Sequence, residues 1–230
     1  MKDYLYVKNN YEALLYEIER HAERACRPVP KLLPVTKSGS DEELLALFSF
    51  GAAAIGENRP GELKRRAELL IAAGYAPELH QIGNLQSNKA KLVCDRVSLI
   101  HSLDSLSLAK EIDRQGKKLG RVIPVLIEIN SAEEVQKGGI LPRDAERFYE
   151  AVAEFENIRV SGLMTMGPVS EQSEDIRPYF RLTKKLFDKL EGKYGFGEEP
   201  TLSMGMTDSI SVAIEEGSTL LRVGRKLFQN

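Results

Sequence analysis

Two residues that could do chemistry stand at or near the ends of short apolar runs in this sequence. Lys37 closes the run LLPVTK, and Arg222 lies within TLLRVG. A lysine that its surroundings partly desolvate has a lowered pKa, and its neutral amine can attack an aldehyde. A buried guanidinium needs an acceptor, either a carboxylate such as Glu57 or an atom of a ligand. These two residues are therefore the first candidates for a binding site.

Both residues also have a structural interpretation that the sequence leaves open. A lysine at a strand end can extend its amine into solvent, and Arg222 can form an ion pair within the protein. The turns SMGMTDS and RVGRK bear glycines that allow close backbone approach. Turns of this kind before a helix can offer N–H donors to an anion, although they are common in proteins.

Other kinds of catalytic site are not indicated. The three histidines, His21, His80 and His101, show no metal-type spacing, and no metal site is predicted. Neither a G-x-S-x-G motif nor a Walker loop occurs. Cys26 and Cys94 are interpreted as free thiols in a reducing compartment.

The overall charge argues against nucleic acid as a partner. The chain has 32 basic and 34 acidic residues, a formal charge of −2, and no strongly basic surface is indicated. No apolar run approaches the length of a membrane span, and the N-terminus lacks the core of a signal peptide. We therefore expect a cytoplasmic protein that binds neither nucleic acid nor membranes.

Short apolar runs alternate with helical segments along the chain, and near-continuous apolar character is typical of parallel strands covered on both faces. The runs span residues 31–37, 52–57, 78–83, 97–102, 123–130, 158–165, 201–205 and 219–224. This alternation predicts an α/β fold, a single (β/α)8 barrel of the TIM type. A doubly wound open sheet is the alternative, since one sequence does not reveal strand order.

An additional amphipathic helix is predicted over residues 3–25, with Leu14 and Ile18 on one face. Because few residues follow Gly224, we expect this helix to pack outside the barrel in place of a helix after the eighth strand. Since no linker divides the sequence, residues 1–230 are predicted to form one domain. The working groups of a barrel lie at the C-terminal ends of its strands, which is where Lys37 stands.

An ordered set of motifs resembles one known family. The motifs are PVTK (34–37), IGEN (55–58), IGNLQSNK (82–89), GLMTMGP (162–168), LSMGM (202–206) and IEEGSTLLRVG (214–224). Together they resemble the pyridoxal phosphate homeostasis proteins, single-domain relatives of the barrel domain of bacterial alanine racemase. The resemblance covers nearly the whole chain and implies that the cofactor is pyridoxal 5′-phosphate (PLP).

The resemblance also implies roles for individual residues. Lys37 matches the lysine that holds PLP as a Schiff base, and Asn58 matches an asparagine beside the cofactor. Ser203, with the backbone of Gly224 and Arg225, falls where the family binds the phosphate. No catalytic residue is implied.

Arg222 matches an arginine that faces the pyridine nitrogen. Because an arginine cannot accept a proton, it should keep that nitrogen unprotonated and make the ring a weaker electron sink. Two positions depart from the family pattern: Arg225 replaces the usual threonine or serine, and Ser209 stands where aspartate is frequent. A backbone N–H survives at residue 225, and its guanidinium could substitute electrostatically.

The family implies a monomeric PLP carrier that buffers the cofactor, supplies PLP-dependent apoenzymes and lacks strong turnover. A single-domain amino-acid racemase is the enzymatic alternative, and a phosphate-binding barrel without the imine is a third. A two-base racemase needs acid–base groups on both faces of the cofactor. Alanine racemases bring one such group from a second domain, for which this sequence is expected to have no residues. A non-enzymatic carrier is therefore predicted.

Overall fold

Parallel strands form the frame of the structure, a computed structural model that describes residues 4–134, 136, 138–168, 170 and 172–229. The strands are β1 Lys31–Pro34, β2 Ala54–Glu57, β3 Glu78–Gln81, β4 Leu99–Leu103, β5 Ile123–Glu128, β6 Ile158–Met164, β7 Thr201–Ser203 and β8 Leu220–Val223. Their order is β1-β8-β7-β6-β5-β4-β3-β2, and a parallel bridge between Val35 and Gly56 joins β1 to β2. The sheet is therefore closed. The predicted barrel is confirmed, and the open doubly wound sheet is excluded.

Helices on the outside of the barrel connect most of the strands. They are α1 Leu5–Arg24, α2 Asp41–Ser49, α3 Pro60–Ala72, α4 Leu106–Leu119, α5 Ala145–Ala153, α6 Arg177–Tyr194, α7 Ile210–Glu215 and α8 Arg225–Phe228. Short 3-10 turns span Ser87–Leu92, Pro142–Asp144 and Ser173–Ile176. Among the described residues, none of these helices combines the length and apolar character needed to cross a bilayer.

Local sequence signals account for the start of α2, the helix that follows the Lys37 turn. The Ser40 hydroxyl accepts from the Glu43 amide at 3.2 Å, and the Glu43 carboxylate accepts from the Ser40 amide at 2.6 Å. This reciprocal capping satisfies two amides that would otherwise lack partners at the first turn. The end of β1 is thereby separated from α2 by a short turn of defined shape.

The N-terminal helix α1 takes the predicted place beside the last strand. The prediction covered residues 3–25; the helix runs from Leu5 to Arg24, and residue 3 lies outside the described residues. Its Asn10 side chain donates to the carbonyls of Leu227 and Gln229 at 3.3 and 2.8 Å. The expectation of no helix after β8 is wrong in one respect, because the one-turn helix α8 fits into the residues after Gly224.

The barrel has an apolar outside and a largely polar inside. Residues such as Leu79 and Leu202 face the helices as part of the main core, whereas Leu99, Leu126 and Met164 form a separate small cluster. Because alternate strand residues point to opposite faces, residues two positions away from Leu99 and Leu126 point inward as well. His101 and Glu128 are such residues. The buried polar residues that share this interior are His80, His101, Glu128, Ser203 and Arg222.

Gly162 allows β6 and β7 to approach each other. Its φ is +143°, and a Cβ at this position would lie 1.9 Å from the Thr201 carbonyl oxygen. We expect Gly162→Ala to destabilise the protein by more than about 2 kcal/mol, because both the backbone conformation and the contact exclude a side chain. Gly192→Ala is the matched control, since Gly192 lies within α6 with no atom near its Cβ position.

The control should stabilise the protein by about 0.5–1 kcal/mol through helix propensity. Urea unfolding of both variants measures the two effects. Equal stability of Gly162→Ala and the parent would contradict the close approach of the two strands.

Candidate functional site

A cleft of about 450 Å³ opens at the C-terminal ends of β1 and β2. Lys37 follows β1 and Asn58 follows β2, and both exposed side chains line this cleft together with Ser38 and Arg59. Gly83 packs closely under the Asn58 backbone, because a Cβ on Gly83 would lie 2.6 Å from the Asn58 carbonyl oxygen. The cleft thus combines a primary amine with an amide on adjacent strands.

Lys37 is more exposed than the sequence predicts. The apolar run was expected to continue as strand through residue 37, but β1 ends at Pro34 and only Val35 pairs beyond it. A turn follows, in which the Gly39 amide donates to the Thr36 carbonyl at 3.0 Å. The expectation of a partly desolvated amine is therefore wrong: this turn carries Lys37 out of the strand, and its side chain reaches solvent.

Buried polar contacts hold the turn that carries Lys37. The Thr36 hydroxyl donates to Glu57 Oε1 at 2.5 Å. Arg66 Nη2 donates to the Gly39 carbonyl at 2.7 Å, and Arg66 Nε lies 3.3 Å from Glu57 Oε1. Burial raises the pKa of Glu57, while Thr36 and Arg66 partly oppose this effect. Glu57 is thus the partner of Arg66, and its suggested pairing with Arg222 is wrong.

Arg222 lies inside the barrel near its C-terminal mouth. Its Nη1 donates to the Ser203 hydroxyl at 2.5 Å, and its Nη2 donates to the Thr165 carbonyl at 2.9 Å. Burial lowers the pKa of Arg222 to about 10, an effect that the charge of Glu128 partly opposes. The guanidinium therefore remains charged at neutral pH and is fixed by acceptors from two neighbouring segments.

Glu128 is a buried carboxyl at the end of β5 that sequence reasoning missed. Burial and, to a smaller extent, the charge of Asp104 raise its pKa to about 7, while the charge of Arg222 partly opposes this shift. The alternation of strand residues could have identified Glu128 as inward-facing, because it stands two residues after the inward-facing Leu126. A carboxyl that titrates near neutrality at a barrel mouth can hold or release a proton there.

Gly224 brings the end of β8 against the end of β1. A Cβ on Gly224 would lie 2.7 Å from the Val35 carbonyl oxygen, so only a residue without a side chain permits this approach. Arg225 begins α8, and its exposed guanidinium pairs with Asp208 in the loop after β7. Ser209, in the same loop, is buried and accepts from the Met206 amide at 3.1 Å.

The structure gathers the predicted site residues on adjacent strands. The strand order β7-β8-β1-β2 brings Ser203, Arg222, Lys37 and Asn58 to one side of the barrel. Ser203 and Arg222 are in direct contact, and Lys37 and Asn58 share a cleft. Within the described ranges, no group of three histidine, cysteine or acidic side chains is placed to hold a metal.

Comparisons with known proteins agree in their family and fold. The family model of the alanine racemase N-terminal domain matches residues 10–229. A pyridoxal phosphate homeostasis protein of Aquifex aeolicus is 41% identical over 217 residues, covering 94% of each chain. A protein of the same name from Helicobacter pylori is 34% identical over the full length of both chains.

A solved structure adds a bound cofactor to these comparisons. PipY from Synechococcus elongatus PCC7942, solved with PLP bound, superposes with a TM-score of 0.82 and 25% identity. The match covers 97% of this chain and 100% of PipY. The fold similarity therefore extends over the whole barrel.

The raised pKa of Glu128 predicts a distinct dependence of stability on pH. The folded protein keeps this proton up to a pH of about 7, whereas the ordinary carboxyl value is 4.5. The unfolded chain then binds fewer protons, so this residue lowers stability as pH rises between these values, by on the order of 3 kcal/mol.

Glu128→Gln should remove that contribution. The stability of the variant relative to the parent should therefore increase from pH 5 to pH 7 and level off above about pH 8. Denaturant unfolding across this range measures the difference, with the exposed Glu154→Gln as control. A difference that does not change with pH would contradict the burial of an ionisable carboxyl.

Proposed function

The chain belongs to the pyridoxal phosphate homeostasis protein family, and from this membership we propose that it binds PLP covalently through Lys37. The proposed site lies at the C-terminal mouth of a single barrel domain, between Asn58 after β2 and Arg222 on β8. Relatives at 41% and 34% identity bear the homeostasis name, and PipY was solved with PLP. These names support PLP as the cofactor of this chain.

The observation that carries the proposal is the accessible amine of Lys37 beside the strand that bears Arg222. Leu33 pairs with Arg222 and Pro34 with Val223, so the turn that carries Lys37 follows the strand next to β8 at the C-terminal end of the barrel. The turn fixed by Glu57 and Arg66 orients the backbone that carries this amine. When bound, PLP supplies an aldehyde carbon with which the neutral lysine forms a Schiff base, with loss of one water.

Arg222 fits the ring nitrogen of this cofactor. A guanidinium has five N–H donors, and the bonds to Ser203 and Thr165 use two of them. A remaining donor can therefore bind the pyridine nitrogen, and the charged guanidinium keeps that nitrogen unprotonated. Asn58, which lines the Lys37 cleft, is proposed to contact the cofactor from the β2 side.

We assign the phosphate mainly to the backbone amides of Gly224 and Arg225. The Arg225 side chain should contribute little, because it pairs with Asp208 on the surface and exposed ion pairs are worth about 0–1 kcal/mol. The resemblance assigns Ser203 to the phosphate as well. Its buried hydroxyl instead contacts Arg222, so we propose that Ser203 serves the cofactor chiefly by holding the guanidinium.

We propose a carrier role: a monomeric cytoplasmic protein that holds PLP for PLP-dependent apoenzymes without strong turnover. Arg222 gives little help to a carbanion on the cofactor, because it leaves the ring nitrogen unprotonated. His80 and His101 could have acted as a second base opposite Lys37. Both are buried inside the barrel and bonded to each other at 2.9 Å, which argues against that role.

Glu128 favours a racemase as the second candidate. Its pKa of about 7 suits proton transfer at neutral pH near the barrel mouth. If Glu128 faced the bound cofactor across from Lys37, the two residues would provide acid–base groups on both faces. The carrier and racemase proposals therefore differ in whether a Glu128-dependent reaction occurs.

Borohydride reduction tests the covalent site. After incubation with PLP and reduction, peptide mass spectrometry should find a pyridoxyl group on the Lys37 peptide, and Lys37→Ala should remain colourless. Lys89→Ala is the matched control, since Lys89 is also exposed and follows β3 at the same end of the barrel. Full labelling of Lys37→Ala at another lysine would remove the proposed attachment site.

Deuterium exchange tests the carrier role. With PLP bound, exchange at the α-carbon of L-alanine and other amino acids should stay far below the 10 per second typical of enzymes, on the order of 100-fold or more. Exchange at enzymatic rates that Glu128→Gln abolishes would establish the racemase instead. The exchange rate measured with Lys37→Ala gives the background.

A further inference from the structure

A file of polar side chains runs through the barrel interior below Arg222. His101 Nδ1 lies 3.0 Å from the Ser203 hydroxyl, and His101 Nε2 lies 2.9 Å from His80 Nδ1. His80 Nε2 in turn faces the Glu78 carboxylate at 3.7 Å. The strands β8, β7, β4 and β3 each contribute to this file, which joins the C-terminal mouth to the opposite end of the barrel.

The far end of the file opens to solvent. Glu78 and His80 line a cavity of about 430 Å³ at the N-terminal end of the barrel, where Lys31, Arg159 and Glu199 are the other charged residues. The Glu78 side chain is 67% exposed, whereas that of His80 is 7% exposed. The file of polar side chains therefore ends at a carboxylate that is in contact with water.

The two ends favour one direction for the hydrogen bonds between them. Arg222 can only donate, and an ionised Glu78 can only accept. The consistent arrangement has Arg222 donating to Ser203, Ser203 donating to His101, and His101 donating to His80. His80 then directs its remaining proton at Glu78. In this arrangement both imidazoles are neutral and carry their proton on Nε2.

Burial supports a neutral His101. Desolvation inside the barrel, reinforced by the charge of Arg222, holds the pKa of His101 well below its usual range. The groups that face His101 are His80 from β3, Ser203 from β7 and Arg222 from β8. Those that face His80 are His101 and Glu78, and Lys31 lies near Glu78 on the cavity wall.

We propose that His101 and His80 are positioning residues for the cofactor site, acting through Ser203 to hold the Arg222 guanidinium in place. This inference rests on the proposed PLP function. His101 Nδ1 takes the only proton of Ser203, which leaves the hydroxyl oxygen free to accept from Arg222. Without His101 the hydroxyl can rotate, and Arg222 loses a fixed acceptor at the moment it binds a ring nitrogen.

The tautomers can be tested without any cofactor. Long-range 15N–1H spectra of protein labelled on its three histidines should show His80 and His101 as neutral Nε2–H tautomers at pH 7. His21, on α1, serves as the control, and His21→Gln assigns its signals. A protonated ring or an Nδ1–H tautomer at either interior histidine would overturn the proposed direction of these hydrogen bonds.

PLP affinity tests the positioning role. His101→Phe should weaken PLP binding about ten-fold, since a hydrogen bond to a charged group is at stake. His101→Asn should bind nearer to the parent, because its side-chain oxygen can replace Nδ1 as acceptor. The Ser203→Ala substitution interrupts the file of polar side chains between His101 and Arg222. In that background, His101→Phe should change PLP affinity less than two-fold.

Each outcome has a definite meaning. An equal loss from His101→Phe with and without Ser203, or a parent-like affinity of His101→Phe, would overturn the positioning role. A parent protein that does not bind PLP would instead refute the proposed function. The tautomer measurement would still test the hydrogen-bond direction in the file of polar side chains. Circular dichroism of each variant confirms that the barrel is intact.

Discussion

The buried guanidinium of Arg222 is the interaction on which the rest of the site depends. A charge inside a barrel is costly unless acceptors surround it, and burial lowers the pKa of Arg222 to about 10. Ser203 on β7 and the Thr165 carbonyl after β6 supply direct acceptors, and Glu128 on β5 supplies an opposing charge. Several strands must therefore be correctly arranged around β8 before this residue is tolerated. The proposed cofactor site and the closed barrel therefore depend on the same arrangement of strands.

The barrel interior gives up part of the usual apolar packing to support this charge. TIM barrels commonly fill their interior with branched apolar residues, whereas the apolar cluster inside the described part of this barrel consists of Leu99, Leu126 and Met164. The helix-facing side of the strands supplies the main core instead. A polar interior contributes less stability than an apolar one of equal volume, but it fixes the direction of donors. That orientation is what a site for a charged, planar cofactor requires.

Much of this arrangement could be predicted from sequence because it is local. Apolar runs mark the strands, and the alternation of strands and helices in 230 residues indicates the barrel. The exposure of Lys37 could not be predicted, because β1 stops at Pro34 and the following turn depends on contacts with Glu57 and Arg66 from other segments. The contact between His80 and His101 joins two strands whose register is set only in three dimensions. The sequence spacing of such residues does not reveal that they are in contact.

The ring nitrogen of bound PLP reports most directly on whether Arg222 governs the site. In a complex prepared with 15N-labelled PLP, the nitrogen chemical shift should be that of an unprotonated, hydrogen-bonded pyridine. It should stay constant from pH 6 to pH 9, because the guanidinium holds its proton throughout that range and cannot accept another. The shift of a protonated pyridinium at pH 7 would contradict this assignment, since it would require an acceptor such as a carboxylate, in place of the Arg222 guanidinium, beside the ring nitrogen.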